Sequence, residues 1–507
     1  MNRREFTLSA AAVALGSKIR LDAEQDKRSH RLPASDHHFR KVEQYVETIP
    51  IPEYHWASEK AYESFRDIKF GIRVHWGIYS QQGFDHESWP FLDLSNAERQ
   101  RYNDIYKTWN PAGFDADQWV SLFQEAGAKM FSFTSKHHEG FSMYDTKTRV
   151  RSRVNWTAAG GPQIEACDLA YSIMETPLRR DVMKELCDSA HSRGLKIDLY
   201  FSHPDWYDAD FRPYAYHPLQ TPASLAANTD DIRSRIKRGG NFMTVPDPSS
   251  QEVARMMARH RAQLEELLTN YGTIDMICLD QWLGPKVWPQ LRETMLHLRT
   301  IQPDVMFRAR GIGNYGDYYT PEGFVPGSKE NTDVPWFVIY PLGTAFSFEP
   351  DASKYKGTGW IVRNLVDVVA KGGNFMVGVG PDGNGQFHPE AEKQLRAVGR
   401  WLKINAEAVY ATREREGSLW SEGASIRYTC SKDKRIVYAM STVWPGRTLN
   451  LATVKPRPGS AIQMLGYHEP LRWSYDAAAG TRIALPDDLQ DDSRRPCDFA
   501  WTFKIAV

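Results

Sequence analysis

The chain has 507 residues, and its 63 basic and 63 acidic side chains give a formal net charge of zero. With 41% hydrophobic and 25% charged residues, it has the composition of a globular protein rather than a fibrous or disordered one. Balanced charge without a long basic run argues against nucleic acid as a partner. No stretch reaches the roughly 18 apolar residues that a membrane span requires, so we expect none.

The first residues have the pattern of an export signal. Arg3 and Arg4 precede a short apolar run at 8–16, which resembles a twin-arginine signal and is too short to anchor the chain in a membrane. We therefore expect an exported protein, periplasmic or extracellular, in which residues 1–44 are the signal and an N-terminal segment. The alternative is a frayed amphipathic N-terminus.

Short apolar segments alternate with helical segments from residue 69 to about 380, which predicts βαβ units and a parallel sheet. Seven candidate strands, with an eighth easily missed, favour an α/β fold, a (β/α)8 TIM-like barrel expected over residues 45–408. A doubly wound open sheet is the runner-up, but its Gly-rich phosphate turn is missing after the first strand. The candidate helices include 251–270 and 390–405. The candidate strands are 69–76, 129–135, 195–202, 274–280, 305–308, 336–340 and 374–379.

After the last candidate helix the pattern changes to short alternating runs separated by Gly, Pro and Asp turns. This predicts a C-terminal antiparallel β-sandwich over residues 409–507. Five widely spaced cysteines without a Cys-x-x-Cys pair argue against a structural zinc site and a dense disulfide framework. The candidate strands of the sandwich are 425–428, 435–440, 448–451 and 499–505.

Histidine, tryptophan and carboxylate side chains cluster at the ends of four candidate strands, which in a barrel open onto the active-site mouth. A single histidine there is commonly a packed core residue, but a cluster at four strand ends is better evidence of a site. Imidazole and indole groups can donate to sugar hydroxyls, and a carboxylate at a strand end suits glycoside hydrolysis. These residues are His75, His137, His138, His203, Asp280 and Trp282.

A metal site is the first rival interpretation, because histidine-rich strand ends also occur in metal-dependent hydrolases. The spacing argues against it, since neighbouring residues of an extended strand point to opposite faces, which would separate His137 from His138. His75 also stands alone rather than in a His-x-His pair. We therefore expect no metal ligands and no cofactor.

Four motifs follow one another along the barrel segment: KFGI at 69–72, HWGIYS at 75–80, KHHEGF at 136–141 and GPDGNG at 380–385. Together they resemble the successive signatures of the α-L-fucosidases of glycoside hydrolase family 29, and the resemblance extends over roughly residues 45–507. It implies a retaining, metal-independent exo-hydrolase that removes terminal α-L-fucose, with a fucosylated glycan as partner. Linkage preference and oligomeric state stay open.

The resemblance also implies roles for single residues. Asp280 matches the nucleophile that forms a covalent glycosyl-enzyme intermediate. Trp282, beside it, is assigned to substrate binding. The positions that match those holding the fucose hydroxyls or lining the pocket are His75, Trp89, His137, His138 and His203.

The general acid/base departs from the family pattern. Family members commonly carry Trp-Glu at the sixth strand, whereas this chain has Trp336-Phe337. Glu87, on the first long loop, matches a second family carboxylate and is the candidate acid/base. Glu330 and Glu349 flank the altered strand and are the next candidates.

A carboxyl that donates a proton near neutral pH needs a raised pKa. For Glu87 we expect an apolar wall from Trp89 and the negative charge of Asp280 to raise the pKa together. Two interpretations stay open: an active exo-fucosidase, favoured by Asp280, and a fucose-binding pseudoenzyme that has lost its general acid, favoured by Phe337.

Overall fold

The computed structural model describes residues 32–33, 37–82, 86–214, 216–219, 221–222, 245–321, 325 and 334–507. The Arg3-Arg4 motif and its apolar run lie outside these residues, so export stays a prediction. Glu330 also lies outside them. None of the described helices is long and apolar enough to cross a membrane.

Seven parallel strands form the sheet of the N-terminal domain. From β1 outward, β2, β5, β6 and β7 follow on one side, and β9 and β8 follow on the other. The antiparallel hairpin β3–β4 stands apart from this sheet and was not predicted. The strands are β1 (Phe70–Val74), β2 (Met130–Lys136), β3 (Val150–Asn155), β4 (Gln163–Leu169), β5 (Lys196–Ser202), β6 (Met276–Asp280), β7 (Met306–Phe307), β8 (Phe337–Pro341) and β9 (Asn374–Val379).

A very short extended segment joins the two edges of this sheet. Tyr318 forms a parallel β-bridge with Arg308, the residue directly after β7. Tyr319 forms a parallel β-bridge with Trp336, the residue directly before β8. This pair is the eighth strand that the sequence pattern left unmarked. The prediction of a TIM-like barrel is confirmed, and the open doubly wound sheet was the wrong alternative.

The helices form because their apolar positions recur on one stripe that packs against the sheet. The helix predicted at 251–270 begins at Ser250, and its N-terminus has the capping box formed by Ser249 and Glu252. The helices are α1 (His37–Val42), α2 (Glu59–Arg66), α3 (Tyr79–Gln82), α4 (Asn96–Asp104), α5 (Ala116–Glu125), α6 (Val182–Ser192), α7 (Ser250–Thr269), α8 (Trp288–Ile301), α9 (Thr358–Ala370) and α10 (Pro389–Val409).

Antiparallel strands follow α10, as the change of pattern predicts. One sheet has the order β10-β12-β13-β18-β15 with β11 paired to β12, and a second has the order β14-β17-β16. Their apolar side chains share a separate core. The strands are β10 (Thr412–Glu414), β11 (Ser421–Glu422), β12 (Ile426–Ser431), β13 (Ile436–Ser441), β14 (Thr448–Leu451), β15 (Ile462–Met464), β16 (Arg472–Asp476), β17 (Gly480–Ala484) and β18 (Trp501–Ala506).

Three tryptophans fix the turn that follows β9, which belongs to the GPDGNG motif. Each indole N–H donates to a different backbone carbonyl of the turn, so the motif is attached to the segments that follow β1. The side chain of Asp382 accepts two backbone N–H groups within the same turn. Trp76 donates to Asp382 over 2.9 Å, Trp109 to Gly383 over 2.6 Å, and Trp119 to Gly385 over 2.9 Å.

Candidate active site

The Asp280 carboxylate lies at the carboxyl end of β6, and both of its oxygens are held by neighbouring side chains. Oδ1 accepts a hydrogen bond from Nη1 of Arg310 at 2.7 Å, and Oδ2 accepts one from the Tyr200 hydroxyl at 2.6 Å. Oδ1 also accepts the backbone N–H of Gln281 at 3.0 Å. With 10% of its side chain exposed, Asp280 is fixed in orientation yet open to the barrel mouth.

His137 and His138 lie together beside this carboxylate, which corrects the expectation that they point to opposite faces. They follow β2 in a turn rather than continuing the strand, and their ring centroids are 4.2 Å apart. The turn uses Gly140 in the left-handed region, with φ of 88°. Nε2 of His138 lies 3.8 Å from Oδ2 of Asp280. Nδ1 of His137 is hydrogen-bonded to the Ser88 hydroxyl at 2.5 Å.

His75 completes a group of three histidines at the barrel mouth. Its ring lies 5.8 Å from that of His137 and stacks on Phe346 at 5.0 Å. Burial lowers the pKa of both His75 and His138 well below the ordinary value, so both rings are neutral. Among the described residues, Nδ1 of His75 and both ring nitrogens of His138 have no hydrogen-bond partner. A neutral imidazole donates at one nitrogen and accepts at the other, which suits recognition of hydroxyl groups.

His203 is placed differently from these three. Its Nδ1 is hydrogen-bonded to Nε2 of His260 at 3.0 Å, and its Nε2 to the Arg310 carbonyl at 3.2 Å. Its backbone N–H donates to the Asp280 carbonyl at 3.0 Å. Burial lowers its pKa to about 4, which keeps the ring neutral. This arrangement favours support of the Asp280 strand end over the sugar contact that the resemblance implies.

Aromatic side chains form one wall beside His138. The Trp89 ring lies edge-on at 4.7 Å from the His138 ring, and Trp206 lies at 5.3 Å. Tyr216 contacts Trp282 edge-on at 5.6 Å. Trp89 and Trp282 are partly exposed, so part of their apolar ring surface is accessible beside the site.

Glu87 is buried and holds the neighbouring loop through its carboxylate. Its Oε1 accepts the backbone N–H of Ser347 at 2.9 Å. Burial raises its pKa to about 7, although His137 and the backbone N–H groups act in the opposite direction. The neighbouring carboxylate that adds to the rise is Glu139, where we expected Asp280. Glu87 therefore exchanges a proton near neutral pH, as an acid/base must.

The two other residues discussed for the acid/base position have different surroundings. Phe337 is completely buried below the pocket, with its ring 5.5 Å from the Arg73 guanidinium and 5.2 Å from the Tyr318 ring. Glu349 accepts hydrogen bonds from the Thr344 hydroxyl at 2.5 Å and a backbone N–H at 3.0 Å. Burial raises the pKa of Glu349, but these bonds outweigh it and the net shift is downward. Glu349 is thus a weaker candidate than Glu87.

Several residues of the site were not singled out from the sequence. Arg308 is the last residue of the candidate strand 305–308 and Arg310 lies two residues beyond it, so inspection of the strand ends could have found both. Tyr200 lies inside β5, and its contact with Asp280 depends on β5 and β6 being neighbours. Across the described residues, no group of three or more His, Cys, Asp or Glu side chains is arranged to hold a metal ion.

Known proteins with similar sequence and structure share one description. Residues 44–407 match the family model of α-L-fucosidases, and residues 421–506 match that of the α-L-fucosidase C-terminal domain. The tissue α-L-fucosidase of Homo sapiens is 28% identical over 468 residues, covering 87% of this chain and 88% of that protein. The plasma α-L-fucosidase of Rattus norvegicus is 26% identical over 471 residues, covering 87% of this chain and 90% of that protein.

Solved structures agree in fold. The α-L-fucosidase isoenzyme 1 from Paenibacillus thiaminolyticus has a TM-score of 0.68 at 23% identity, covering 88% of this chain and 99% of that one. A second structure is a trapped covalent intermediate of a family 29 α-L-fucosidase from Bacteroides thetaiotaomicron in complex with 2-fluoro-fucosyl fluoride. It has a TM-score of 0.67 at 22% identity, covering 90% of this chain and 100% of that one. Because the family model matches well over half of the chain, this protein belongs to the α-L-fucosidases of glycoside hydrolase family 29.

Proposed function

We propose that this chain is a retaining exo-fucosidase that hydrolyses terminal α-L-fucose from fucosylated glycans, with Asp280 as nucleophile and Glu87 as acid/base. The observation that carries the proposal is the Asp280 carboxylate, fixed by Arg310 and Tyr200 beside the neutral ring of His138. The covalent intermediate trapped in the Bacteroides relative supports a double-displacement mechanism for the family.

In the first step an oxygen of Asp280 attacks the anomeric carbon, and the bond from that carbon to the glycosidic oxygen breaks. The leaving oxygen takes the proton of Glu87, so the glycan departs as a neutral alcohol. The hydrogen bond from Tyr200 keeps one Asp280 oxygen in a fixed direction during attack. The products are a fucosyl ester of Asp280 and an ionised Glu87.

In the second step Glu87 takes a proton from water as the water oxygen attacks the anomeric carbon. The ester bond to Asp280 breaks, and its electron pair returns to the carboxylate. Two inversions leave the configuration of the fucose unchanged, and both carboxyl groups regain their starting protonation.

The three histidines at the barrel mouth, His75, His137 and His138, are proposed to bind the fucose hydroxyls. Charged imidazolium groups beside Asp280 would stabilise its carboxylate before attack and so raise the barrier to the chemical step. Neutral rings offer hydrogen bonds to the sugar without raising that barrier. Burial keeps His75 and His138 neutral over the working pH range. Phe337 alone would suit a protein that binds fucose without hydrolysing it, but the raised pKa of Glu87 provides a proton donor and favours the enzyme.

The test is turnover of an aryl α-L-fucoside and of a fucosyl-oligosaccharide by Asp280→Asn. We expect a loss of about three orders of magnitude or more on both substrates, because the covalent route is gone. Asp275→Asn is the matched control, since Asp275 precedes the same strand and pairs with Lys196 at the opposite end of the barrel. Wild-type turnover by Asp280→Asn would refute the proposed nucleophile.

A further inference from the structure

A buried sulfur lies between two guanidinium groups directly below the Asp280 carboxylate. Cys278 precedes Asp280 by two residues on β6, so both side chains point into the barrel. Its Sγ is 2.9 Å from Nη2 of Arg73 and 3.4 Å from Nη1 of Arg308, and accepts a hydrogen bond from each. Cys278 is completely buried, and the two arginines are at most 3% exposed.

The charges around this sulfur are closely packed. Nη2 of Arg73 also donates to Oδ2 of Asp198 at 3.0 Å, so this guanidinium has a carboxylate partner. Arg310 makes the close hydrogen bond to Oδ1 of Asp280. Nη1 of Arg308 lies 3.5 Å from that same oxygen, at almost the same distance as from the sulfur.

We propose that Cys278 is a positioning residue for Asp280, because its sulfur holds the Arg308 guanidinium back from a close hydrogen bond to the carboxylate. The inference rests on the proposed role of Asp280 as nucleophile. One guanidinium, from Arg310, then orients the carboxylate, while the second contributes positive charge from a longer distance.

The consequence is a faster chemical step. Asp280 loses its negative charge when it attacks, so a second close charge-assisted hydrogen bond would stabilise the enzyme before attack more than the transition state. Such an interaction raises the barrier without improving contacts to the sugar. The sulfur is a weaker acceptor than a carboxylate, yet it gives the Arg308 N–H a partner inside the barrel.

Cys278→Ala removes the acceptor and lets Arg308 close on Asp280. We expect kcat on an aryl α-L-fucoside to fall about tenfold while KM changes less than about twofold, since a loss confined to the chemical step appears in kcat. Cys278→Ser keeps a hydroxyl acceptor at this place and is expected to recover most of the rate. If Cys278→Ala does not fold, Cys278→Val replaces it as the variant without a polar acceptor.

Cys187→Ala is the matched control, because Cys187 is equally buried in α6, away from the pocket. It loses a sulfur of the same size and is expected to lower thermal stability while leaving kcat unchanged. Equal kcat for folded Cys278→Ala and wild type, or equal loss in the alanine and serine variants, would overturn the positioning role. Activity in Asp280→Asn would instead refute the nucleophile, so the two failures are distinguishable.

Discussion

The Glu87 carboxylate accepts the backbone N–H of Ser347, 2.9 Å away, and so connects the loop after β1 to the loop after β8. The second loop follows the strand that carries Phe337 where many family members carry glutamate. Glu87 thus comes from a different strand end, and its contact is with the loop after β8 rather than with Phe337, the first residue of β8. Its burial and its pKa of about 7 suit a proton donor and acceptor.

Glu87→Ala tests this role through the leaving group. We expect turnover of a natural fucosyl-oligosaccharide to fall by about two to four orders of magnitude, because its leaving oxygen needs a proton. An aryl fucoside with an acidic phenol should lose much less in its first step, and azide should restore its turnover by attacking without base assistance. The comparison is steady-state kinetics on both substrates with and without azide.

Glu349→Ala is the matched comparison, since Glu349 belongs to the loop after β8 and stabilises it through a hydrogen bond from Thr344. It should show no dependence on the leaving group and no response to azide. Equal slowing of both substrates by Glu87→Ala, with no effect of azide, would reassign Glu87 to sugar binding.

The activity of the wild type should fall as pH rises through about 7. Glu87 must be protonated to assist departure of the glycan, and its raised pKa means that the proton is lost in this range. The profile of kcat/KM against pH, measured on the oligosaccharide, should therefore have an alkaline limb near pH 7. In Glu87→Gln that limb should vanish along with most of the activity, and a limb of unchanged position would assign it to another group.

The raised pKa of Glu87 should also make the free energy of unfolding fall as pH rises. The pKa of Glu87 is raised above the ordinary 4.5, so between pH 4.5 and about 7 the folded chain holds a proton that the unfolded chain has lost. This group therefore makes stability fall as pH rises through that window, by up to about 3 kcal/mol in total. Glu87→Gln should be more stable than wild type at pH 8 and nearly equal to it at pH 4, as measured by chemical denaturation.

The indole contacts to the turn after β9 predict a specific loss of stability. Trp109→Phe keeps an aromatic ring in a buried position but removes the N–H that donates to Gly383, leaving a half-buried carbonyl without this partner. We expect a loss of about 1–3 kcal/mol in the free energy of unfolding. Trp473→Phe removes a similar indole bond, to Ser460, at a half-buried position of the second domain and should cost less. Equal losses in the two variants would argue against a special role for the turn.

The barrel strands were predictable because they are short apolar runs bounded by turn residues. β9 was expected at 374–379 and is observed as Asn374–Val379, and most other strand ends differ by one or two residues. The hairpin β3–β4 was missed because Val150–Asn155 contains only two apolar residues, both valines, and so lacks the apolar run that marks the barrel strands. Tyr318 and Tyr319 were missed because two residues are too few to produce a periodic pattern.

Site residues that stand at the ends of strands could be predicted from the sequence. A contact that depends on which strands are neighbours in the sheet could not. His75, His138 and Asp280 stand at strand ends, and the barrel brings them together. Tyr200 reaches Asp280 only because β5 pairs with β6. The wrong expectation for His137 and His138 came from treating them as strand residues, although the strand ends at Lys136.

The measurement that tests the account most directly is the site of covalent labelling by a slow 2-fluoro-fucosyl fluoride. The wild-type protein should gain the mass of one fluorofucosyl group, and peptide mass spectrometry should place it on Asp280. Asp280→Asn should remain unlabelled while Glu87→Ala is still labelled. A label on any other carboxylate, or labelling of Asp280→Asn, would contradict the assignment of Asp280 as the nucleophile.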